Sequence, residues 1–269
     1  MKTVRVYYAG IPERNNNQEK QKVLENFHLG VSGAQSTEVH KRDWQPSDLA
    51  VIQGWVHAES GSAKHLAFRK EIIDKQRETG GHTLAIDSNL FLYKDPANVN
   101  TYLRFSLDGV FPTTGNYFTD KVNPDRWKQI KQDIGFDLKP WKNNGEYILI
   151  CCQRNGGWSM DGLHVMKWLN ETIVKVRHFT NKPIVVRTHP KDKKAKTYIK
   201  NIVDPKIYIS KKPSLVDDLE KAWATVVYNS SPGVASAIEG VPVFVTDPNP
   251  ARSQAFDVAN TDLSKLNNP

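Results

Sequence analysis

Three small polar residues follow an apolar run near the carboxyl-terminal end of the sequence, in a pattern that suits an anion. The run ending at Tyr228 predicts a buried strand of a parallel sheet, and Asn229, Ser230 and Ser231 come next. We expect these three residues to cap a helix whose free backbone N–H groups, together with the hydroxyls, bind a phosphate. A capped crossover helix without any ligand fits the same pattern.

A second apolar run ends in three side chains that can pair with a phosphate. The strand predicted over Ile184–Arg187 is followed by His189 and Lys191. Arginine offers a planar fork of donors, lysine a compact charge, and histidine a donor near neutral pH. Because the carboxyl ends of parallel strands lie at one edge of a sheet, both groups are expected where open α/β folds bind ligands. The lysines from Lys193 to Lys200 are interpreted as a solvated surface.

A third polar group follows the strand predicted over Tyr147–Cys152. Arg154 comes directly after that strand, and Gly157, Trp158 and Ser159 follow it. Glycine permits a close approach of the backbone to a phosphate, so these four residues are candidates for the same anion. A Gly-Gly turn by itself is more typical of an ordinary turn.

Strands and helices alternate along the whole chain, which predicts an α/β fold with parallel sheets. We interpret residues 1–140 as one domain and residues 146–269 as a second, separated by a turn-rich stretch, and expect them to face each other across a cleft. Ser214 and Asp217 have the spacing of a capping box, which predicts a helix over Leu215–Trp223. A strand is then predicted over Thr225–Tyr228.

Composition restricts the partners and the compartment. The 269 residues carry a net charge of +8, with 19 basic and 17 acidic side chains in residues 1–140 and 18 and 12 in the remainder. This excess makes DNA or another polyanion a plausible partner, and a solvated basic face explains it equally well. Cys151 and Cys152 are adjacent in a predicted strand, so they should point to opposite faces and not pair.

The sequence predicts no membrane association. Arg5 interrupts the first apolar run, so the amino-terminal segment is not expected to be a signal peptide. No apolar segment approaches the length of a membrane span, and the two cysteines suggest a reducing compartment. Cytoplasm is therefore the expected location.

The two phosphate-binding patterns together resemble the donor half of GT-B glycosyltransferases, above all the capsule Kdo-transferase and polysialyltransferase types. The resemblance runs from Lys182 to near Asn260 and rests on His189-Pro190 and on the Ser230-Ser231 pair with Gly233 three residues after Ser230. It implies two Rossmann-like domains, the first on the acceptor side and the second binding the donor. It also implies that the histidine and the serine pair hold the phosphate of a nucleotide sugar, and that Tyr208 lies near its nucleobase.

A broader layout resembles bacteriophage glycosyltransferases that modify hydroxymethylcytosine in DNA, of the arabinosyl-transferring type. It is carried by Asp48–Trp55, Gly109–Phe118 and Ile148–Met160. This resemblance implies a UDP-sugar donor and hydroxymethylated cytosine in DNA as the acceptor. Three alternatives remain open: a glycosyltransferase of surface polysaccharide or capsule synthesis with a CMP- or UDP-sugar, a non-catalytic sugar-nucleotide or nucleic-acid binding module, and a sugar-nucleotide epimerase.

Glycosyl transfer requires that the charge of the leaving phosphate be stabilised, by a metal or by fixed donors. The sequence contains no Asp-x-Asp pair. Arg187, His189 and the serine pair are therefore predicted to stabilise the charge, without a metal or a cofactor beyond the donor itself.

An inverting reaction also needs a base that takes the proton of the acceptor hydroxyl. Asp87, directly after a predicted strand, is the first candidate, with a helix N-cap as the equal alternative. His57 is the second candidate. Glu239, at the end of the helix after Ser231, is interpreted either as a ligand of sugar hydroxyls or as a solvated helix residue. The resemblance implies a closing carboxyl-terminal helix that the sequence does not predict.

Overall fold

The computed structural model describes residues 1–11, 18–56, 64–97, 101–118, 121–155, 158–160, 162–199, 202 and 204–269. The chain divides into two compact units. The first comprises Met1–Leu92 and Ala97–Val122, and the second comprises Tyr93–Pro96 and Asn123–Pro269. Each unit contains a five-stranded sheet with helices beside it, so the predicted α/β class with parallel sheets is confirmed.

The first unit has one sheet in the order β2-β1-β3-β4-β5. The first four strands in this order are parallel, and β5 pairs antiparallel with β4. Its elements are β1 (Thr3–Tyr7), α1 (Gln18–Gly30), β2 (Gln35–Val39), β3 (Leu49–Gln53), α2 (Lys64–Thr79), β4 (His82–Asp87) and β5 (Arg104–Leu107). The chain moves outward from β1 to β2 and then returns to β1's other side, so the topological switch point lies between β1 and β3.

The second unit has an all-parallel sheet in the order β10-β9-β6-β7-β8. Its elements are α3 (Pro124–Ile134), β6 (Tyr147–Cys151), α4 (Val165–Phe179), β7 (Ile184–Arg187), α5 (Ala195–Tyr198), β8 (Ile207–Ile209), α6 (Leu215–Leu219), β9 (Ala222–Val227), α7 (Pro232–Ile238) and β10 (Val243–Val245). Strands β6 to β8 run outward on one side and β9 and β10 on the other. The switch point here lies between β6 and β9.

Strand β6 is buried on both faces, as expected for the centre of a parallel sheet. Ile148, Ile150 and, just after the strand, Cys152 pack into one apolar cluster, whereas Leu149 and Cys151 pack into another. Both thiols are free. The prediction that the two cysteines point to opposite faces and do not pair is confirmed.

Local sequence signals predicted several elements accurately. Strand β7 has the predicted bounds, and the capping box of Ser214 and Asp217 is present at the start of α6. The prediction that α6 extends to Trp223 is wrong, since the helix ends at Leu219 and strand β9 already begins at Ala222. Burial explains the difference, because Ala222 and the residues from Ala224 onward are fully buried beside β6. Within the described residues, no helix is long and apolar enough to cross a membrane.

Candidate functional site

The carboxyl edge of the second sheet brings together most of the residues singled out by the sequence. Strands β9, β6 and β7 are neighbours in that order, and neighbouring strands lie ~4.8 Å apart. The loops that follow them carry Ser230, Arg154 and His189, respectively. The three loops therefore lie side by side at the switch point, where open α/β folds bind ligands.

A buried polar network fixes two of these loops. The backbone N–H of Asn229 donates to Gln153 Oε1 at 3.1 Å, and Gln153 Nε2 donates to Ser159 Oγ at 2.8 Å. The Asn229 amide donates in turn to the Ser159 carbonyl at 3.0 Å. Gln153 and Asn229 are buried. Ser159, predicted to bind the donor, thus joins the loops after β6 and β9 to each other.

The same network continues to the loop after β10. The Asn229 amide donates to Asp247 Oδ2 at 2.7 Å, and Asp247 Oδ1 pairs with the Arg252 guanidinium at 2.9 Å. Asp247 is buried, so its charge depends on these partners. Gln153 and Asp247 were not singled out by the sequence, although each lies two residues past a buried strand, the position that marked the other candidates.

The prediction that Asn229, Ser230 and Ser231 cap the following helix is correct only in position, since Ser231 is the N-cap residue but no side chain of the three caps the helix. Helix α7 begins at Pro232, and the side chain of its N-cap residue, Ser231, makes no capping hydrogen bond. The Asn229 side chain is turned into the buried network instead, because burial requires that its amide be hydrogen-bonded.

Ser230 is left with an unsatisfied hydroxyl. Its Oγ is buried and has no hydrogen-bond partner among the described residues. An unpaired buried hydroxyl costs about 1–3 kcal/mol, which a ligand oxygen at this position would offset. Ser231, the next residue, is exposed. The serine pair therefore has one hydroxyl in solvent and one hydroxyl without a partner at the switch point.

Gly233 has a packing role in the second unit. A Cβ at this position would lie 3.0 Å from the Ala255 Cβ and 3.3 Å from Val243 Cγ1. Glycine thus lets α7 approach the sheet closely. Its predicted contact with the donor stays a prediction.

His189 lies in a positively charged environment. Its Nδ1 accepts a hydrogen bond from the Lys191 backbone N–H at 3.1 Å, so the neutral ring carries its proton on Nε2. Burial, together with the charges of Lys191 and Arg154, holds the pKa of His189 below its ordinary value. The ring is therefore neutral at neutral pH and offers an N–H beside two cations, which is a suitable arrangement for a phosphate oxygen.

The loop bearing His189 is tied to the loop bearing Arg154. The Asn155 backbone N–H donates to Asp192 Oδ2 at 3.1 Å, and the Asp192 N–H donates to the His189 carbonyl at 2.9 Å. These bonds connect the loop after β6 with the loop after β7. They hold His189 in position, while the side chains of Arg154 and Lys191 remain exposed.

Arg187 is directed away from this cluster into a buried ion pair. Its Nη1 lies 2.5 Å from Asp218 Oδ2, and it donates to the Lys212 carbonyl at 3.2 Å. Asp218 is buried and also accepts from Ser210 Oγ. The guanidinium fixes the loop after β8, and a role for Arg187 in binding the donor stays a prediction.

The remaining donor candidates are distributed differently. Tyr208 lies on the edge strand β8 and is exposed, which leaves its ring accessible. Trp158 begins a short 3-10 turn, but its side chain lies outside the described part of the chain. Gly157 and His57 lie outside the described residues altogether.

Glu239 is not the solvated helix residue of one interpretation, because only 3% of its surface is exposed. It follows α7 at the end opposite Ser231, and its two oxygens pair with Lys94 at 2.7 Å and Lys139 at 2.6 Å. Burial raises the pKa of Glu239, but the hydrogen bonds from the lysines outweigh it and leave the pKa below its ordinary value. The carboxylate is thus charged and already paired, and sugar binding by Glu239 stays a prediction.

Asp87 lies at the carboxyl end of β4 in the first unit. Its Oδ2 pairs with Arg104 at 2.9 Å, and its Oδ1 accepts from the Ser88 N–H at 2.7 Å. The alternative of a helix N-cap is wrong, because residues 88–97 contain no helix. A role as base stays a prediction, and it would require that the pair with Arg104 loosen.

Comparison with solved structures supports the fold. No protein-family profile and no curated protein matches the chain. The KpsC β-Kdo 2,4 transferase of Thermosulfurimonas dismutans aligns over 98% of this chain and 88% of its own, with 14% identity and a TM-score of 0.56. The β-Kdo 2,7 transferase of the same KpsC aligns over 98% and 88%, with 12% identity and a TM-score of 0.56. At such identities the likeness shows the fold alone, which is the two-sheet α/β fold of GT-B glycosyltransferases.

Proposed function

We propose that the protein is a GT-B glycosyltransferase that moves a sugar from a nucleotide-sugar donor to a hydroxyl of a surface glycan, as in capsule polysaccharide synthesis. The donor binds at the switch point of the second unit. There, His189, Arg154, Lys191 and the Ser230 hydroxyl contact its phosphates, and the buried network of Asn229 holds the loops in place.

One observation carries this proposal. At the carboxyl edge of a parallel sheet, a neutral histidine stands beside two cations, and a buried serine hydroxyl two strands away lacks a partner among the described residues. The leaving phosphate of a nucleotide sugar needs such fixed donors. An ordinary crossover helix explains neither the unsatisfied hydroxyl nor the cationic surroundings of His189.

A glycan acceptor is favoured because the two Kdo transferases share the fold over nearly the whole chain. The second candidate is hydroxymethylated DNA with a UDP-sugar donor, and the specific observation in its favour is the net charge of +8. The two candidates differ in salt dependence, since phosphate contacts to a duplex release counterions and weaken steeply with salt.

Donor binding is tested by thermal shift with UDP, CMP, GDP and ADP. We expect one nucleotide to raise the melting temperature, because a ligand of the folded state stabilises it by mass action. His189→Gln and Ser230→Ala should reduce this rise. His178→Gln, an exposed histidine at the far end of α4, should not. No rise with any nucleotide in folded protein would contradict the proposal.

Turnover is tested with the donor class found in this way. Release of the nucleotide in the presence of a glycan acceptor supports the proposal. Transfer to a hydroxymethylated duplex, with steeply salt-dependent binding, would move the assignment to DNA. Nucleotide binding without turnover on either acceptor would favour a non-catalytic binding module.

A further inference from the structure

The first unit holds a guanidinium directly at its own switch point. Arg69 lies in the first part of α2 and is half-buried. Its Nε donates to the Gly10 carbonyl at 2.8 Å. A Cβ on Gly54 would lie 2.6 Å from its Nη1. Because Gly10 and Gly54 follow β1 and β3, the guanidinium lies at the carboxyl edge between the two strands that flank the switch point.

The two glycines create the space that Arg69 occupies. A Cβ on Gly10 would lie 3.1 Å from the Arg69 Cγ, so a larger residue would crowd the stem of the side chain. Gly54 has a φ of 81°, a backbone conformation that residues other than glycine rarely adopt. The backbone at both strand ends is thus shaped around one arginine.

Arg69 has no anionic partner among the residues that the structure describes. Its only hydrogen bond there is the one from Nε to Gly10, and its two terminal nitrogens have no acceptor. The carboxylate of Asp87 attracts the Arg69 guanidinium electrostatically, but it is already paired with Arg104 at 2.9 Å. Burial lowers the pKa of Arg69 to about 10, and Asp87 offsets this only in part, so the group is charged at neutral pH.

A half-buried charge without a partner is unfavourable unless a ligand pairs with it. The planar fork of a guanidinium matches a carboxylate or a phosphate, with two parallel hydrogen bonds. The only carboxylate among the described residues whose charge affects Arg69 is Asp87, and it is shared with Arg104. The carboxyl edge of the first sheet therefore favours the binding of a compact anion over that of a neutral sugar hydroxyl.

We infer that Arg69 binds a carboxylate or phosphate group on the acceptor, so that the enzyme selects an anionic glycan. This inference rests on the proposed function, in which the second unit binds the donor and the first unit receives the acceptor. Arg69 is thus a specificity-determining residue, and the glycines at positions 10 and 54 hold its guanidinium at the switch point.

The test is an NMR titration of the full chain with glucuronate, glucose 6-phosphate and neutral glucose. We expect at least one of the two anions to bind the wild type at least tenfold more tightly than glucose. Arg69→Gln should abolish this preference, and Arg69→Lys should keep part of it. Arg77→Gln, an exposed arginine on the same helix, is the matched control and should leave the preference intact. Equal binding by the wild type and Arg69→Gln, or no preference in the wild type, would overturn the inference.

A second measurement separates this inference from the proposed function. The thermal shift with the donor nucleotide should be unchanged in Arg69→Gln, which also shows that the variant is folded. A nucleotide shift without anion preference overturns the anionic acceptor and leaves the glycosyltransferase proposal standing. Loss of binding to a hydroxymethylated oligonucleotide in Arg69→Gln, with unaltered binding of the two sugar anions, would instead assign the guanidinium to a nucleic-acid phosphate.

Discussion

Each of the two sheets has an arginine at its carboxyl edge, but only one of these arginines has a carboxylate partner among the described residues. In the second unit, Arg187 pairs with the buried Asp218 at 2.5 Å and contacts the loop after β8. In the first unit, Arg69 touches one backbone carbonyl, and its terminal nitrogens have no acceptor among the described residues. A basic residue at a strand end is therefore not by itself a sign of ligand binding. What matters is whether the fold already supplies a counter-charge.

The second unit uses most of its polar groups for structure. Gln153, Asn229 and Asp247 satisfy one another beneath the loops. The groups that remain available for a ligand are His189, the exposed side chains of Arg154 and Lys191, and the Ser230 hydroxyl. The rigid network and the available donors are thus different residues, which allows the two roles to be separated by mutation.

The largest expected loss of stability comes from disrupting the buried network of Asn229 and Asp247. Asp247→Ala removes the buried carboxylate that pairs with the Arg252 guanidinium and accepts a hydrogen bond from the Asn229 amide. We expect the free energy of unfolding to fall by about 3–5 kcal/mol, because removing one partner of a buried ion pair is strongly destabilising. Denaturant unfolding measures this. The exposed Asp257→Ala is the control and should change stability by less than about 0.5 kcal/mol. A similar loss in both variants would show that the network is not the cause.

The same substitution at the two arginines tests the comparison directly. Arg187→Gln should lower the free energy of unfolding by about 3 kcal/mol, since the carboxylate of Asp218 is only 2% exposed and loses its counter-charge. Arg69→Gln should change it by less than about 1 kcal/mol, because no ion pair is lost. Nucleotide binding by Arg69→Gln should be unchanged. If Arg69→Gln were the more damaging of the two, the contrast between the sheets would be wrong.

A smaller effect is expected at the glycine beside Arg69. Gly54→Ala places a side chain at a φ of 81°, which costs roughly 1–2 kcal/mol of stability. The new methyl group must also displace Nη1 of Arg69, so the affinity for glucuronate should fall. In an Arg69→Gln background the stability cost should persist, but no further loss of affinity should occur. Unaltered glucuronate binding by Gly54→Ala would place the anion elsewhere.

The smallest effect concerns the pH dependence of donor binding. The pKa of His189 lies below its ordinary value in the free protein, so the ring is neutral there, whereas a bound phosphate favours the protonated ring. Binding should therefore take up a proton, and affinity should rise as the pH falls, by at most about tenfold per pH unit. The rise should level off below the pKa of the free protein. Calorimetry at several pH values measures it, and His189→Gln should remove the slope that His178→Gln retains.

Strands and their ends could be predicted from the sequence because buried parallel strands are continuous apolar runs. Strand β2 was missed, since its residues, Gln35 to Val39, are mostly polar and only partly buried. The overrun of α6 has a similar origin. Ala222 and Trp223 are compatible with either helix or strand, and only pairing with β6 decides between them.

The candidate site was predictable in position but not in detail. That Asn229, Ser230 and His189 lie at one edge followed from the alternation of strands and helices. The Asn229 side chain bonds to Asp247, 18 positions further along the chain, and Arg187 bonds to Asp218, 31 positions further along. No local sequence pattern encodes contacts over such separations. Arg69 was missed because an arginine in an amphipathic helix is typical of a solvated face. The glycines after two apolar strands were the signal that could have revealed it.

The adjacent cysteines of the second unit have a practical consequence. Burial raises the pKa of both thiols, that of Cys152 to about 12, so neither forms the reactive thiolate in the native state. Each can be alkylated only when its own side of the sheet opens transiently. Cys151 and Cys152 are packed into different apolar clusters on the two faces of the sheet. Their labelling rates therefore measure how often each face of the same sheet opens transiently.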